Sequence, residues 1–354
     1  MTAALPPLDE ALLARRLLTD AGGAYARLDR VESIGSTNQW LIDALTAESR
    51  TQPPGQEKRT TAWPHLSVLT AEEQTGGRGR LGRVWSSPKG ASLSTSIVLR
   101  PRLDPTHLGW LSMLAGRALV DTLRQDVGLD DEGQRAVLKW PNDVQVTQPE
   151  GPARKISGIL ASAVAGIPGG GPAAVVLGVG INVLLTPEQL PTENSTSVLI
   201  ELRRRRTDRG TDRRTDLHAE SIGRPSSQVE PSSLVEPGSD EAARLRTELL
   251  CCYLERFADL LGVVEAAARQ APDTVPQVLT ALVGEVLTTL GQEVRVELPD
   301  GSAERGVARG LTAQGALDVE VTARRGAPEQ DWVPRAPLLR SFSAGDVTHL
   351  RPTS

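Results

Sequence analysis

The sequence has 354 residues, of which 39% are hydrophobic and 23% charged, and its formal net charge at pH 7 is −5. A chain of this size and composition can bury a substantial core in two or three domains, which excludes disorder throughout. The negative net charge argues against binding nucleic acid through overall positive charge, and the adjacent Cys251 and Cys252 supply neither a disulfide framework nor a spaced set of zinc ligands.

The first half of the chain alternates between helical and strand-like patterns. Apolar spacing and turn residues predict, in chain order, a helix at 8–21, a strand at 28–34, a helix at 39–45, strands at 66–70 and 91–99, a helix at 105–125, a hairpin at 136–146, and strands at 157–164 and 173–179. Residues 35–38 favour a turn or helix cap ahead of the second helix. This order indicates an α+β fold with helices flanking a mixed sheet.

Residues 202–240 differ in character from what precedes them. They include Arg203 to Arg206 in a row and many serine, proline and glycine residues, so few apolar side chains can anchor them. We predict a disordered insertion there, followed by an amphipathic helix at 241–261. From 282 to 350, short alternating strands and turns indicate a small β-barrel. The predicted domains are therefore residues 1–280, which contain the insertion, and residues 281–354.

Three arginines alternate with glycines in the loop Gly77-Arg78-Gly79-Arg80-Leu81-Gly82-Arg83, which we call the arginine loop. Glycines let the backbone approach a ligand and guanidinium groups bind phosphate or carboxylate, so the loop is a candidate anion site; a solvated basic loop is the alternative. Its glycines also match the dinucleotide-binding pattern G-x-G-x-x-G. That pattern must open a helix and precede an acidic residue, whereas residues 83–88 form a poor helix and arginines lie at the required distance. A P-loop sequence is also lacking.

Further segments combine cations, glycines and amides. They are Lys139-Trp140-Pro141-Asn142-Asp143, a strand in which Gly158 follows Lys155, and a strand end with Gly178, Gly180 and Asn182. Singly, each has a simpler explanation as a solvated lysine, a hairpin turn or glycines at a strand end. Together with the arginine loop they indicate a site for an anionic ligand.

The order and spacing of these motifs resemble the biotin protein ligases, or biotin–[acetyl-CoA-carboxylase] ligases. The resemblance runs from about Ser33 to Val183 and includes Ser36-Thr37-Asn38 and the tryptophan, Trp85, after the arginine loop. It implies a class II synthetase-like catalytic domain with a small C-terminal SH3-like β-barrel. It also implies an enzyme that converts biotin and ATP to biotinyl-AMP and transfers biotin to a lysine of a biotin carboxyl carrier protein. Because only 35 residues precede Ser36, we expect a monofunctional ligase without a DNA-binding domain.

The resemblance assigns roles to individual residues. Lys155, Arg80 and Arg78 would be catalytic, with Lys155 bridging the biotin carboxylate and the α-phosphate of ATP. Biotin would contact Ser36, Thr37, Asn38, Gln74, Arg78, Gly79, Arg80, Lys155, Gly158, Gly178 and Gly180. The nucleotide would contact Arg80, Arg83, Trp85, Lys139, Asn142, Asp143, Lys155 and Asn182. An ordinary packing role explains Trp85 equally well.

The resemblance also predicts the molecules that the enzyme uses. Mg²⁺ would accompany ATP, with ligands that the sequence does not identify. We expect a cytoplasmic protein that binds neither DNA nor membranes, since a signal peptide and a long apolar run are both missing from the sequence. A homodimer is possible. The alternatives are a lipoate or octanoate protein ligase, which shares the adenylation chemistry, and a non-catalytic biotin-binding module. The combination of arginines 78 and 80 with lysines 139 and 155 favours an enzyme.

Overall fold

A computed structural model describes residues 5–51, 61–131, 133–164, 174–212, 235, 238–298, 300–343 and 346–349. These residues form two β-sheets, of nine and five strands, with helices packed on the larger one. The helices are α1 (Glu10–Leu17), α2 (Thr37–Thr51), α3 (Leu111–Gln125), α4 (Val198–Asp212), α5 (Asp240–Gln270) and α6 (Val275–Gly284). None of the helices in the described ranges is long and apolar enough to cross a membrane.

The larger sheet is mixed, as predicted from the sequence. Its strands are β1 (Arg27–Ile34), β2 (Ser67–Arg78), β3 (Val84–Ser87), β4 (Ser92–Leu99), β5 (Asp130–Asp131), β6 (Gln134–Lys139), β7 (Asp143–Val146), β8 (Arg154–Val164) and β9 (Ala174–Asn182). Their spatial order is β1-β2-β4-β9-β8-β7-β6-β5, with β3 paired to β2. Strands β1 and β2 are parallel, and the remaining pairs are antiparallel. The predicted α+β class is confirmed.

Alternation along the strands gives the larger sheet two different faces. Val175 and Leu177 of β9 belong to the main core with α3 and α5, whereas Ala174 and Val176 belong to a smaller core with Leu41 of α2. The next two residues on the α2 face of β9 are Gly178 and Gly180. On this face of β9, the apolar residues that pack under α2 are therefore followed directly by two glycines, which have no side chains.

A buried ion pair joins α5 to the sheet. Arg246 Nη2 lies 2.6 Å from Glu72 Oε2, and both side chains are almost fully buried. The other carboxylate oxygen of Glu72 accepts a hydrogen bond from the Leu8 backbone N–H at 2.8 Å. These bonds satisfy charges that would otherwise be costly in the core, and they fasten the segment ahead of α1.

The smaller sheet is antiparallel. Its strands are β10 (Glu293–Glu297), β11 (Ala303–Leu311), β12 (Leu317–Arg325), β13 (Val333–Phe342) and β14 (Asp346–His349), in the order β13-β12-β11-β10-β14. The turn between β11 and β12 docks on two buried tryptophans of the larger domain. Trp110 Nε1 donates to Ala313 O at 2.9 Å, and Trp140 Nε1 donates to Gly315 O at 3.0 Å. The small β domain is thus bonded to the tryptophan that directly precedes the hairpin turn at residues 141–142.

The segment predicted to be a disordered insertion begins as a helix instead. Helix α4 continues to Asp212, and Arg205 near its middle is held by the larger domain: Arg205 Nη2 lies 2.6 Å from Asp131 Oδ2. Charged partners therefore anchor residues that apolar content alone would leave loose. Residues 213–234 and 236–237 of the same prediction lie outside the described residues. The predicted domain boundary between 280 and 281 remains a prediction; α6 spans it.

Candidate active site

A cavity of about 290 Å³ lies over the glycine strip of β8 and β9. This volume is at the lower end of the range for small-molecule sites. All the site residues named from the sequence line it except Lys139: Ser36, Thr37, Asn38, Gln74, Arg78, Gly79, Arg80, Arg83, Trp85, Asn142, Asp143, Lys155, Gly158, Gly178, Gly180 and Asn182. The structure thus brings together residues from five strands, the arginine loop and the start of α2.

Three glycines form the floor of the cavity. Gly158 and Gly180 are directly opposite each other in the β8–β9 pair, and Gly178 lies two residues along on the same face. A Cβ atom on Gly178 would lie 2.4 Å from Asn38 Oδ1, and one on Gly180 would lie 2.4 Å from Trp85 Cε2. Side chains here would displace Asn38 and the Trp85 ring, so the floor is flat because of its sequence.

The start of α2 closes one end of the cavity. Ser36 Oγ accepts a hydrogen bond from Gln39 N at 3.3 Å, so Ser36 caps the helix as predicted. Thr37 N and Oγ1 donate to Gln74 Oε1 at 2.9 and 3.1 Å, and Asn38 Nδ2 donates to Leu160 O at 3.1 Å. The polar groups at this end are therefore held in place before any ligand binds.

Ser96 of β4 completes this end and was missed in the sequence. Its Oγ lies 2.7 Å from Thr37 Oγ1 and 2.6 Å from Asn38 Oδ1, and the serine is fully buried. The signal was present as the alternating serines Ser92, Ser94 and Ser96 in a strand whose other residues, except Thr95, are apolar. Alternation places all three on one face of β4, but sequence alone does not say which residues they meet.

The arginine loop is the connection of a hairpin. Strand β2 extends to Arg78, a single 3₁₀ turn covers Arg80–Gly82, and the chain returns as β3. Gly82 has φ +74°, which favours glycine. A strand rather than a helix follows the loop, which confirms that the G-x-G-x-x-G pattern is not a dinucleotide fingerprint here. Arg80 Nη1 lies 3.4 Å from Asn142 Oδ1, so the loop reaches across the cavity to the β6–β7 turn.

Lys155 and Asp143 form an ion pair inside the cavity. Lys155 Nζ lies 2.6 Å from Asp143 Oδ1, with side-chain exposures of 33% and 24%. Lys155 is the second residue of β8 and Asp143 is the first of β7, and the β7–β8 pairing shifts register next to Lys155. The ammonium group also lies 5.9 Å from the centre of the Trp85 ring. Asp143 therefore holds the lysine over the floor at the edge of Gly158.

The cavity is strongly cationic. Arg78, Arg80, Arg83 and Lys155 line it, and Asp143 is the sole carboxylate among the described residues that do so. Clustered cations in a partly enclosed site favour a ligand with several negative charges. The described residues contain no group of three or more His, Cys, Asp or Glu side chains placed to hold a metal ion.

Lys139 does not line the cavity. It ends β6 and pairs with Asp143 across the hairpin, but β6 lies one strand farther than β7 from the floor on β8 and β9. Its role in nucleotide binding stays a prediction. By contrast, sequence reasoning missed the wall formed by Pro191, Thr192 and Ser195, which follows β9 by about ten residues.

Two family models match the chain. The biotin/lipoate A/B protein ligase family matches residues 48–182, and the biotin protein ligase C terminal domain matches residues 289–350. The chain is 32% identical over 347 residues to a biotin–[acetyl-CoA-carboxylase] ligase of Mycobacterium tuberculosis, covering 98% of this chain and 97% of that protein. The chain belongs to the biotin/lipoate A/B protein ligase family. The match to the biotin/lipoate A/B protein ligase model ends at Asn182, so it includes the arginine loop and the glycine floor.

Two more members of the biotin/lipoate A/B ligase group illustrate the range of the likeness. The bifunctional ligase/repressor BirA of Escherichia coli is 33% identical over 182 residues, which is 51% of this chain and 47% of that protein. A biotin protein ligase from Aquifex aeolicus, solved with biotin and ATP, has a TM-score of 0.53 and 20% identity, covering 92% of this chain and all of that one. At that identity the likeness concerns the fold, and it confirms the predicted combination of a mixed-sheet domain with a C-terminal β domain.

Proposed function

We propose that this chain is a biotin–[acetyl-CoA-carboxylase] ligase, which activates biotin with ATP and transfers it to a lysine of a biotin carboxyl carrier protein. The observation that carries the proposal is the cavity itself. It joins a preformed polar end at Ser36–Asn38 to four cationic side chains over a glycine floor. The full-length similarity to a ligase of that name supports it.

The proposed reaction has two steps. A carboxylate oxygen of biotin attacks the α-phosphorus of ATP, the bond from that phosphorus to the bridging oxygen breaks, and pyrophosphate leaves. A lysine amine of the carrier then attacks the carbonyl carbon of biotinyl-AMP, AMP leaves, and the amine loses a proton as the amide forms. The first step brings two anions together, so its barrier depends on positive charge fixed in the site.

We place biotin at the α2 end of the cavity. Ser36, Thr37, Asn38 and Gln74 offer hydroxyl and amide groups suited to the ureido ring, and the hydrogen bonds within this group fix them in advance. Gly178 and Gly180 leave room for Asn38 and the Trp85 ring, which pack on the floor and would border the ring system and the valeryl chain. Biotin laid along this floor would direct its carboxylate toward Lys155.

We place the phosphates of ATP between the arginine loop and Lys155. Lys155 would exchange part of its contact with Asp143 for the biotin carboxylate and the α-phosphate, while Arg78 and Arg80 cover the adenylate and Arg83 and Asn142 line its outer side. Mg²⁺ would arrive bound to the triphosphate and offset its charge. This agrees with the scarcity of acidic groups in the cavity, because phosphate oxygens and water would supply most of the ligands to the ion.

Lipoate or octanoate ligation is the second candidate, because the matching family includes lipoate ligases. Pyrophosphate exchange into ATP, measured with biotin, lipoate, octanoate or no acid, separates the candidates. We expect exchange with biotin. Exchange only with lipoate or octanoate would identify that acid, instead of biotin, as the substrate. No exchange with any acid would favour a binding module.

The proposal also covers where the enzyme acts and whether it binds DNA. We propose a cytoplasmic enzyme that acts on the carrier protein and does not regulate transcription. A gel shift with biotin, ATP and promoter DNA checks the last point. Tight sequence-specific binding would contradict it.

A further inference from the structure

Thr196 lies just behind the cavity wall, fully buried, and each of its three polar groups is bonded to a different partner. Its backbone N–H donates to Lys155 O at 2.8 Å, and its carbonyl oxygen accepts from Asn182 Nδ2 at 3.0 Å. Its hydroxyl donates to Glu201 Oε1 at 2.6 Å. Thr196 lies outside the cavity and thus links a buried carboxylate to two residues that line the cavity.

The residues just before Thr196 form a wall of the cavity beside Lys155. Asn194 O accepts a hydrogen bond from Lys155 N at 2.7 Å, and Ser195 forms a parallel bridge with Lys155. Thr192 and Ser195 line the cavity with their hydroxyl oxygens 2.7 Å apart. The backbone of Lys155 therefore lies between β7 on one side and this short segment on the other.

Glu201 is a buried carboxylate with several donors around it. Besides the Thr196 hydroxyl, it accepts from Gln134 Nε2 at 2.7 Å and Gln148 Nε2 at 3.3 Å, and Arg204 Nη1 lies 3.5 Å away. Its own N–H donates to Ser197 O in the first turn of α4. So many partners offset the cost of burial and fix the carboxylate relative to β6 and the end of β7.

We propose that Thr196 and Glu201 are a positioning pair that holds the nucleotide side of the site in register with Lys155. Neither residue lines the cavity, so both act through Lys155, Asn182 and the wall at 192–195. The proposal rests on the proposed function, in which Lys155 must meet the α-phosphate. Displacements of well under 1 Å matter at such a centre, because the attacking and accepting atoms must be aligned.

Thr196→Val tests the pair, because valine keeps the shape of threonine and removes the hydroxyl donor. In pyrophosphate exchange we expect the KM for ATP to rise about ten-fold, which corresponds to the loss of one buried hydrogen bond. The KM for biotin should stay within about two-fold, because other elements form the biotin end. Thr196→Ser, which keeps the hydroxyl, should restore the wild-type KM for ATP.

Thr122→Val is the matched control. Thr122 is also fully buried and donates its hydroxyl to Ala118 O within α3, away from the cavity. The control removes a buried threonine hydroxyl elsewhere in the domain and should leave both KM values unchanged. A Thr196→Val enzyme that behaves like this control, or a Thr196→Ser enzyme as impaired as Thr196→Val, overturns the pair.

Calorimetric titration with ATP separates this proposal from the proposed function. If wild-type protein shows no biotin-dependent exchange, the ligase assignment fails, and the pair is judged on ATP affinity alone. Weaker ATP binding by about ten-fold in Thr196→Val and not in Thr196→Ser supports the pair. Equal affinity in all three proteins, or no ATP binding by the wild type, overturns it.

Discussion

Replacing Gly180 by alanine should disable the site through Trp85 rather than through the ligand. The added Cβ would lie 2.4 Å from Trp85 Cε2 and 2.6 Å from Cζ2 and Nε1. Ordinary carbon contacts are about 3.5–4.0 Å, so the ring must retreat by more than about 1 Å or the strand must shift. Trp85 follows the arginine loop in β3, and a displaced ring would carry the loop away from the cavity.

The expected magnitude follows from the cost of overpacking. One extra methyl group in a well-packed site costs about 1–3 kcal/mol. Because about 1.4 kcal/mol is a factor of ten, we expect kcat/KM in biotin-dependent pyrophosphate exchange to fall about 10- to 100-fold. The fold should survive, because the strain is confined to the β3 hairpin at the edge of the cavity.

A double-mutant cycle with Trp85→Ala isolates the mechanism. Without the indole, alanine at position 180 has room, so Gly180→Ala should cost little in the Trp85→Ala background, with a coupling energy of about 1–3 kcal/mol. Gly262→Ala is the control: Gly262 lies in α5 and a Cβ there meets nothing within 4 Å, so activity should be unchanged. An active Gly180→Ala enzyme, or equal losses in both backgrounds, would refute the steric argument.

Three further predictions concern stability and domain docking. Arg246→Met leaves the buried Glu72 with one ion pair, to Arg30 Nη1 at 3.3 Å, and should lower the free energy of unfolding in urea by about 1.5–3 kcal/mol, as for the loss of a hydrogen bond to a charged group. A loss below about 0.5 kcal/mol would contradict the burial of the Arg246–Glu72 pair. Burial lowers the pKa of His65 in the folded state, so its contribution to stability is present above its unfolded pKa of about 6.5 and is lost as pH falls through the folded pKa. His65→Asn should therefore flatten the acid side of a plot of unfolding free energy against pH. An unchanged curve would count against this. Trp140→Phe removes the hydrogen bond to Gly315 O and should speed amide hydrogen exchange at the β11–β12 turn. Exchange in the β4–β9 core should stay as in the wild type. Unchanged exchange at the turn would show that the bond is dispensable.

Most of the fold was predictable because its elements carry local signals. Apolar periodicity and turn residues predicted β1, β4, β8, β9 and the first part of β2, the hairpin at 136–146 and the start of the β domain, but not the short strands β3 and β5. Helix α4 was not predicted, because Arg205 is stabilised by Asp131 and by Val127 O, which lie far from it in the sequence. Strand β13 was also missed: Pro334 and Pro337 interrupt its pattern, and it forms an exposed edge.

The candidate site was predictable wherever function requires an unusual residue type in a short motif. Arginines among glycines and glycines at a strand end are visible without a structure. Ser96, Thr196 and Glu201 were not found, because they act by hydrogen bonds between segments far apart in the chain, and buried serine or threonine has no distinctive sequence pattern. Lys139 shows the converse: a residue inside a motif lies one strand away from the cavity that the motif builds.

The proposed reaction in this cavity makes biotinyl-AMP and passes biotin to a carrier lysine. Its most direct test is a single-turnover reaction of the purified chain with biotin and ATP labelled in the α-phosphate, followed by addition of an apo carrier domain and intact mass measurement. We expect a protein-bound labelled adenylate that disappears when the carrier is added, as the carrier gains the mass of one biotinyl group and AMP is released. A chain that forms no adenylate with biotin, or an adenylate that the carrier does not consume, would contradict it.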